Sequence, residues 1–408
     1  MDRLWQDANA IISSSLKAVL PDEAVHQALE NHGMQGDIYL LAVGKAAWQM
    51  ANAAYESIGQ SIRDGIVITK YDHSQGPIGN LTIYEAGHPV SDDNSYAATQ
   101  AALDMVAGLS ADDNVLFLIS GGGSALFEKP LIPAAEMQDI TRQLLACGAD
   151  IVEMNTVRKR LSAVKGGRFA EACPAKINAV VLSDILGDPL DMIASGPAAP
   201  DASTCEQAMA IAEKYSLRLS AEALSLLSKE TPKQLDNVES HVVGSVKHLC
   251  TAAAVKAEEL GYEPCILTDQ LCCEARDAGS FLASIAKSHA CDGKALAFIA
   301  GGETVVHLTG KGKGGRNQEL ALAAAEGIAG LDNVLVFSAG SDGTDGPTDA
   351  AGGMVDGYTA ARLADKGIRI SDVLAENDAY NALGTVDGLI MTGPTGTNVN
   401  DVAVVLIS

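Results

Sequence analysis

Residues 115–124, VLFLISGGGS, join five apolar residues to three glycines that lie between two serines. A run such as Val115–Ile119 is typical of a strand that is buried on both faces of a sheet. Consecutive glycines let the backbone turn its N–H groups toward an anion, although a flexible turn is the alternative. We expect a phosphate-binding loop whose cofactor-binding residues are Ser120, Gly121, Gly122, Gly123 and Ser124.

The same alternation of short apolar runs and helical patterns extends along the chain in both directions. It predicts strands at residues 38–43, 65–69, 81–85, 115–119, 179–183, 264–268, 295–300, 304–308, 334–338, 388–391 and 402–407. Strand–helix alternation favours parallel pairing with helices on the faces. The sequence therefore predicts an α/β fold of two lobes, each with a largely parallel sheet flanked by helices.

The length of 408 residues exceeds what one ordinary core accommodates. The polar stretch at residues 230–237, ETPKQLDN, is the best candidate for a linker. We therefore predict an N-terminal domain at residues 1–240 and a C-terminal domain at residues 241–408.

The composition limits the expected partners. Lys and Arg number 28 against 52 Asp and Glu, a formal net charge of −24, which disfavours nucleic acid and anionic membranes. The first residues do not resemble a secretion signal, and the eight cysteines contain no C-x-x-C pair. We expect reduced, mostly buried thiols in a cytoplasmic protein that binds small molecules. The composition is compatible with a homo-oligomer and does not require one.

Lys45 follows the strand predicted at residues 38–43 and precedes a helical pattern. A cation and free backbone N–H groups at the start of a helix form an anion site. This is not a P-loop, because the G-x-x-x-x-G-K-[ST] spacing is absent and Ala46 replaces the magnesium-binding hydroxyl. We expect Lys45 to bind an anion, with an ordinary surface lysine as the alternative.

Residues 155–168, NTVRKRLSAVKGGR, hold five cations in an acidic chain. At helical spacing Arg158, Lys165 and Arg168 would share one side. A solvated helix face and an anion site are both open as interpretations. On the second of these, Lys165 binds the cofactor.

Asp184 and Asp188 follow the strand predicted at residues 179–183. The carboxyl tips of parallel strands are where α/β enzymes place ligand and metal groups. Mg²⁺ uses one or two carboxylates together with phosphate oxygens, although capping of a turn is the alternative. Asp184 and Asp188 are therefore candidate magnesium ligands.

The C-terminal half contains GGET at residues 301–304 and GKGKGGRNQE at residues 310–319. Residues 310–315 match G-x-G-x-x-G, but no acidic residue ends the following strand, so the dinucleotide signal is weak. Two lysines and an arginine suit a terminal phosphate or a carboxylate better. We expect this basic loop, with Lys313 and Arg316, to bind such a group of the cofactor or substrate.

Two further polar loops follow predicted strands, SDGTDGPTD at residues 341–349 and TGPTGTNVND at residues 392–401. Asp345 is a candidate metal ligand, and Asn398 is a candidate for binding cofactor oxyanions. The spacing of the first loop and its lack of a terminal Glu exclude an EF-hand. A structural Gly-Pro turn is the alternative for the second loop.

Several of these loops together resemble one family. The motifs VGKAA, GHPVSD, SGGGSAL, NTVRKRLSAVKGG, SDILGDPLDMIASGP, GGETVVHLTGKGKGGRNQE, SDGTDGPTDAAGG and TGPTGTNVND are similar to those of the class II glycerate kinases. That family carries a C-terminal MOFRL domain, and some members are labelled hydroxypyruvate reductase.

The resemblance implies transfer of the ATP γ-phosphate to D-glycerate, most often at the 2-hydroxyl, with Mg²⁺. It also implies a Rossmann-like N-terminal lobe, a smaller C-terminal lobe and an active site in the cleft between them. Lys45 and Arg316 match the family's cleft lysine and arginine, so the resemblance implies that both are catalytic. Asp184 would accept the substrate proton, and Asp188 would hold Mg²⁺ with help from Glu303 or Asp345.

Two other functions are open at this point. One is an NAD(P)H-dependent hydroxypyruvate reductase, and the other is a catalytically silent sensor of sugar phosphates. The set of carboxylates and cations in the loops argues against the sensor.

Overall fold

The structure is a computed structural model that describes residues 3–31, 34 and 36–408. Its first element is helix α1 (Arg3–Lys17). The described residues form two compact units. The first unit is Ala24–Val243, and the second unit combines the residues up to Glu23 with Gly244–Ser408. The first unit is thus inserted into the chain of the second.

In the described chain, the first unit is built on a six-stranded sheet. Its strands are β1 (Ile38–Val43), β2 (Ile62–Lys70), β3 (Thr82–Ala86), β4 (Asn114–Ile119), β5 (Lys176–Leu182) and β6 (Val238–Gly244). They lie in the order β3-β2-β1-β4-β5-β6. The pairs β1–β2, β1–β4, β2–β3 and β4–β5 are parallel, so the carboxyl ends of β1 to β5 lie along one edge.

The helices of the first unit begin with one that spans the boundary between the units. They are α2 (Pro21–Asn31), α3 (Ala47–Ile58), α4 (Asp93–Ala107), α5 (Gly123–Leu126), α6 (Ala134–Ala146), α7 (Ile151–Arg160), α8 (Arg168–Ala172), α9 (Cys205–Lys214) and α10 (Ala221–Leu227). Helices α6, α7, α9 and α10 pack against one another in an apolar cluster of their own, whereas the others pack on the sheet. Short 3₁₀ turns occur at Gly59–Ser61 and Ile193–Ser195.

The first sheet is buried on both faces. In β1, Leu41 and Val43 pack in one apolar cluster, whereas Leu40 and Ala42 pack in another. Alternate residues of a strand point to opposite faces. A strand that serves two cores must be apolar throughout, which explains the continuous apolar runs of the sequence.

The second unit has a mixed sheet. Its strands are β7 (Glu263–Leu271), β8 (Leu296–Gly302), β9 (Val334–Gly340), β10 (Gly352–Asp356), β11 (Leu389–Ile390) and β12 (Asp401–Ile407), in the order β11-β10-β9-β12-β8-β7. Among the described strands β7, β8, β9 and β11 run one way, while β10 and β12 run the other.

The predicted α/β class is confirmed, but strand pairing in the second unit differs from a plain parallel arrangement. Of the described neighbours, β7–β8 is parallel and the others are antiparallel. The loop that joins β9 to β10 contains no helix. A parallel neighbour would need a long crossover, so a short loop gives an antiparallel pair.

The remaining helices pack on this mixed sheet. They are α11 (Val246–Glu259), α12 (Ala275–His289), α13 (Arg316–Gly327), α14 (Thr359–Asp365), α15 (Ile370–Ala375) and α16 (Ala379–Gly384). Helices α12 and α13 approach so closely that a Cβ at Gly279 would lie 2.2 Å from Leu320 O. A Cβ at Gly327 would similarly lie 2.4 Å from Ala283 Cβ.

Helix α1 packs on α11 and so belongs to the second unit. Its buried face includes Leu4, Ala8 and Ile11. Tyr262 donates to Asp7 Oδ2 at 2.8 Å, and this bond is buried. The predicted domain at residues 1–240 includes α1, whereas the structure places α1 in the second unit. The reason is that the apolar face of α1 packs on a helix that follows residue 244.

Other elements also differ from expectation. The strand predicted at residues 304–308 is wrong, since Val305 forms one isolated bridge with Glu274 and Leu308 is 81% exposed. The sequence did not predict β6 or β10. The polar stretch at residues 230–237 leads into β6, and the observed boundary follows that strand.

The sequence predicts neither a membrane-spanning helix nor many exposed thiols. Over the described ranges, no helix combines the length and the apolarity that a membrane span requires. The cysteines are free, but Cys173 and Cys250 are the buried ones in this part of the chain. The expectation of mostly buried thiols is therefore wrong, because most of them lie at the surface.

Candidate active site

The turn after β1 is held against the loop after β4 at the carboxyl edge of the first sheet. Lys45 N donates to Gly121 O at 2.9 Å, and Ala46 N donates to Ser120 Oγ at 3.1 Å. Gly44 has φ +123°, and a Cβ there would lie 2.2 Å from Ser120 Oγ. This approach requires glycine at position 44, and it fixes the Lys45 backbone beside the glycine loop.

Gly121 and Gly122 lie against three polar side chains. A Cβ at Gly121 would be 2.3 Å from Asp184 Oδ2. A Cβ at Gly122, whose φ is +87°, would be 3.1 Å from the His88 ring and 3.1 Å from Lys45 Cγ. The loop therefore brings together the predicted residues Lys45 and Asp184 with His88, which the sequence did not single out.

The His88 imidazole lies in a group of basic side chains. Burial lowers its pKa, and three neighbours lower the pKa further, namely Lys45, Lys70 and His73. His73 Nδ1 lies 3.1 Å from Lys45 O, and a carbonyl only accepts, so this nitrogen carries the hydrogen. In a chain of net charge −24, this edge is locally electropositive and favours an anionic ligand.

Asp188 lies in the turn after β5 with φ +53°. Its Oδ1 atom is buried and has no hydrogen-bond partner among the described residues. A buried carboxylate oxygen without a partner is costly, and a bound cation removes that cost. The environment of Asp188 therefore fits its predicted role as a metal ligand.

Lys165 lies behind the glycine loop, not on its surface. Its side chain is fully buried, and Nζ donates to Ser124 O at 2.8 Å and to Phe127 O at 3.0 Å. Nζ also pairs with Glu128 Oε2 at 3.2 Å. Burial lowers the pKa of Lys165 to about 8. These partners give Lys165 a role in holding the loop, which differs from the predicted contact with a cofactor.

The cation run at residues 155–168 does not form one helix. Helix α7 ends at Arg160 and α8 begins at Arg168, so the predicted shared side is wrong. Lys159 Nζ pairs with Asp191 at 3.1 Å and with Asp201 at 3.0 Å. Most cations of this run are therefore held in buried ion pairs. The run forms neither the solvated helix face nor the anion site that the sequence suggested.

A row of polar side chains supports the far end of the glycine loop. Ser124 Oγ lies 2.9 Å from Ser195 Oγ, and Ser195 Oγ donates to Asn155 Oδ1 at 3.1 Å. Asn155 in turn contacts Met192 Sδ at 3.7 Å. Sequence reasoning selected Ser124, but it quoted the motifs that hold Asn155, Met192 and Ser195 without selecting those residues. Serine and asparagine carry no spacing signal that would show them to be partners.

In the second unit, Arg316 is held by two carboxylates at the start of α13. Its Nε donates to Asp401 Oδ2 at 2.5 Å and its NH2 to Asp401 Oδ1 at 3.1 Å, a bidentate pair. Its NH1 donates to Glu303 Oε1 at 2.9 Å. Glu303 therefore serves Arg316 in this structure, and Asp401 is a partner that sequence reasoning did not identify.

Asp345 caps helix α13. Its Oδ1 accepts from Asn317 N at 3.2 Å, and its Oδ2 accepts from Gln318 N at 2.8 Å. Burial raises the pKa of Asp345 to about 7. Both oxygens thus accept from backbone N–H groups in the first turn of α13, as the side chain of a helix cap does. The sequence predicts a metal ligand here, and the structure shows a cap instead.

We expect Asp345→Asn to remove part of the pH dependence of stability. Between an unfolded pKa near 3.8 and a folded pKa of about 7, the folded state binds the extra proton. Stability is therefore highest below pH 4 and falls as the pH rises through 7, by up to about 4 kcal/mol at 1.36 kcal/mol per unit. The asparagine variant has no titrating group at this position, so its stability relative to the wild type should rise by about 3 kcal/mol between pH 4.5 and pH 8. Urea denaturation of both proteins at the two pH values measures this, and parallel loss of stability would contradict it.

The two other predicted residues of the second unit lie on exposed loops. The Lys313 ammonium lies 4.3 Å from the centroid of the Tyr380 ring, a cation–π contact. Asn398 is exposed, and its Oδ1 accepts from Asn400 N at 3.4 Å. Neither contact identifies a ligand, so their predicted cofactor roles stay predictions.

Models of two protein families match the chain. The model described as a domain of unknown function, DUF4147, matches residues 7–228. The MOFRL family model matches residues 296–401.

Similar proteins cover nearly the whole chain. The D-glycerate 2-kinase of Thermotoga maritima is 53% identical, over 97% of each chain. The glycerate 2-kinase of Pyrococcus horikoshii is 40% identical, over 98% of this chain and 96% of the relative. An Agrobacterium vitis protein named as a hydroxypyruvate reductase is 38% identical, over 99% of this chain and 96% of the relative. The crystal structure of a Thermotoga maritima glycerate kinase superposes with a TM-score of 0.96, over 99% of both chains at 53% identity.

Proposed function

Since the chain belongs to the family of the glycerate kinases, we propose that it transfers the γ-phosphate of ATP to the 2-hydroxyl of D-glycerate. The products are 2-phosphoglycerate and ADP. The observation that supports this most is the grouping of Lys45, Asp184 and the glycine loop at one sheet edge. Phosphoryl transfer requires substrates held in place and positive charge near the moving group.

Lys45 supplies that positive charge in the first unit. It lies beside Gly122, and no ion pair of the described residues involves its ammonium. The backbone N–H groups of residues 121–124 bind phosphate oxygens of ATP, as glycine-rich turns at helix starts do. His88 is uncharged at neutral pH, so it donates a hydrogen bond to an anionic group without repelling Lys45.

Asp184 accepts the proton of the substrate hydroxyl. Its carboxylate lies beside Gly121, at the end of β5. A proton acceptor must lie within hydrogen-bond reach of the attacking hydroxyl. Placement beside the phosphate-binding loop satisfies that condition for a hydroxyl that attacks the γ-phosphate.

Asp188 holds Mg²⁺ on this proposal. Its buried oxygen without a partner suits a hard cation that prefers carboxylate ligands. When bound, the ion would neutralise charge on the phosphate oxygens of ATP. Glu303 and Asp345 are already engaged by Arg316 and by the start of α13, so we assign them no metal role.

We expect Asp188→Asn to raise the Mg²⁺ concentration for half-maximal activity at least about tenfold, because a neutral amide binds the ion less well. The fold should persist, since asparagine tolerates the φ of +53° at this position. Activity titrated with Mg²⁺ measures the effect. Asp387→Asn is the matched control, with φ +57° at an exposed site. An unchanged requirement for Mg²⁺ in Asp188→Asn would remove this assignment.

Arg316 is the second cation of the proposed mechanism. Its guanidinium is held rigidly by Asp401 and Glu303, and 32% of its side chain is exposed. A fixed, partly exposed guanidinium can bind a carboxylate or a phosphoryl oxygen of the substrates. The acidic partners keep it charged and in one orientation.

The function is tested by ADP release in a coupled assay with D-glycerate and Mg-ATP. Treating the product with enolase then reports the position of the phosphate, because 2-phosphoglycerate is converted directly to phosphoenolpyruvate. ADP release without enolase-sensitive product would place the phosphate elsewhere on glycerate. No ADP release would overturn the proposal.

A reductase is the alternative that the same assay set separates. The protein is incubated with hydroxypyruvate and NADH, and the absorbance of the reduced nicotinamide is followed. Loss of that absorbance, with no ADP release from glycerate and Mg-ATP, would favour the reductase.

A further inference from the structure

A strained turn lies beside the glycine loop in the first unit. Ala194, Ser195 and Gly196 have φ values of +52°, +60° and +66°, all in the left-handed region. For residues other than glycine this region costs free energy, so it persists only where packing and hydrogen bonds hold the backbone. Ser195 O accepts from Gly166 N at 3.0 Å, and Gly196 O accepts from Gly167 N at 2.7 Å. The turn is thus fixed by a neighbouring segment, and no step of the proposed mechanism uses it.

This turn holds Ser195 against Ser124 of the glycine loop. Ser195 is fully buried, and its Oγ donates to Asn155 Oδ1 at 3.1 Å. A serine hydroxyl carries one hydrogen, so Ser124 is the donor in the bond of 2.9 Å between the two serine oxygens. The hydrogen of the Ser124 hydroxyl is therefore used inside the protein. The backbone N–H is then the donor with which Ser124 can bind a phosphate.

The carbonyl of Ser124 is held as well. Lys165 Nζ donates to Ser124 O at 2.8 Å, and Arg158 NH2 donates to the same oxygen at 3.4 Å. The hydroxyl arm and the carbonyl extend from the same Cα atom. Fixing both of them leaves the N–H group of Ser124 one direction. A donor that is already oriented binds an anion without first losing conformational freedom.

We propose that Ser195 is a positioning residue, which holds Ser124 so that the glycine loop presents its N–H groups to the phosphates of ATP. This inference rests on the proposed kinase function and names a residue outside the loop on which ATP binding depends. The loop binds these phosphates in the ground state and in the transition state alike. Losing such uniform binding raises KM and leaves kcat unchanged.

Ser195→Gly tests the proposal, because glycine adopts φ +60° without strain and the variant removes only the hydroxymethyl group. We expect KM for ATP to rise about fivefold, the usual effect of losing one hydrogen bond, with kcat and KM for D-glycerate unchanged. Ser195→Ala is the second variant and should act alike, since Ala194 already adopts the same backbone region. Ser216→Gly is the matched control, an exposed serine with φ +49°, and should change none of the three constants.

A double-mutant cycle with Ser124→Ala separates positioning from a general loosening of the fold. In Ser124→Ala the hydroxyl through which Ser195 acts is already missing. We therefore expect Ser195→Gly to leave KM for ATP unchanged in that background. The same rise of KM in both backgrounds, or a rise in neither, would overturn the positioning role.

Calorimetric binding of ADP distinguishes failure of this proposal from failure of the kinase function. If the wild type phosphorylates glycerate while Ser195→Gly and Ser195→Ala keep a normal KM for ATP, the positioning role falls and the function stands. If the wild type is inactive on glycerate but binds ADP more tightly than both variants, the function falls and the positioning role stands. If the wild type neither binds ADP nor phosphorylates glycerate, both proposals fall.

Discussion

Lys45→Met should lower kcat with D-glycerate and ATP about a thousandfold while the protein keeps its fold. Removing one preorganised charge or donor at a transition state costs on the order of 10²–10³ in rate. Lys45 supplies such a charge next to the glycine loop, and in the described chain its ammonium has no carboxylate partner. Its loss therefore leaves no buried ion behind, and stability should change little.

Steady-state kinetics and thermal unfolding measure the two halves of this prediction. Lys176→Met is the matched control, because Lys176 is exposed at the amino end of β5, the opposite edge of the same sheet. Near-normal turnover in Lys45→Met would remove the lysine from the mechanism. A large drop in melting temperature would instead indicate a structural role.

Arg316→Ala should abolish most of the activity and also destabilise the second unit. Asp401 is 7% exposed and loses its bidentate partner in this variant. Breaking a buried pair by removing one partner costs about 3–5 kcal/mol, because an uncompensated charge remains. The loss of activity could then follow from instability alone, so a second variant is needed.

The double variant Arg316→Ala/Asp401→Asn separates the two effects. Neutralising Asp401 removes the uncompensated charge, so we expect much of the lost thermal stability to return while kcat stays at least about a hundredfold low. Recovery of activity in the double variant would show that Arg316 is only structural. Arg362→Ala serves as the control, since its pair with Asp356 is partly exposed and should contribute about 1 kcal/mol or less.

The first sheet could be predicted from the sequence, because strands buried on both faces leave continuous apolar runs that end in glycine or polar loops. Elements at the edges of the sheets could not be predicted in this way. β6, VESHVVG, has three polar residues in a row and directly follows the polar stretch at residues 230–237 that predicts a linker, so its sequence did not predict a strand. The stretch at residues 304–308 has the β-branched composition of a strand, yet composition does not supply the neighbouring strand it would need.

The candidate site was predictable where one loop carries its own signal. The glycines of residues 121–123 and the lysine at 45 follow strands directly, so their meeting at one sheet edge follows from parallel pairing. The roles of Lys165 and Asp345 could not be predicted from the sequence. Charge and spacing are the same for a buried lysine paired with Glu128 as for a ligand-binding one. A capping aspartate likewise has the same sequence pattern as a metal ligand.

The position of α1 has a consequence for synthesis on the ribosome. Its apolar face is covered by α11, which is translated only after the whole first unit. At about 5–20 residues per second, that face has no native partner for roughly ten to fifty seconds. The first unit contains its own complete sheet and can fold during this interval. The second unit completes its sheet only when β12, its last strand, emerges between β8 and β9.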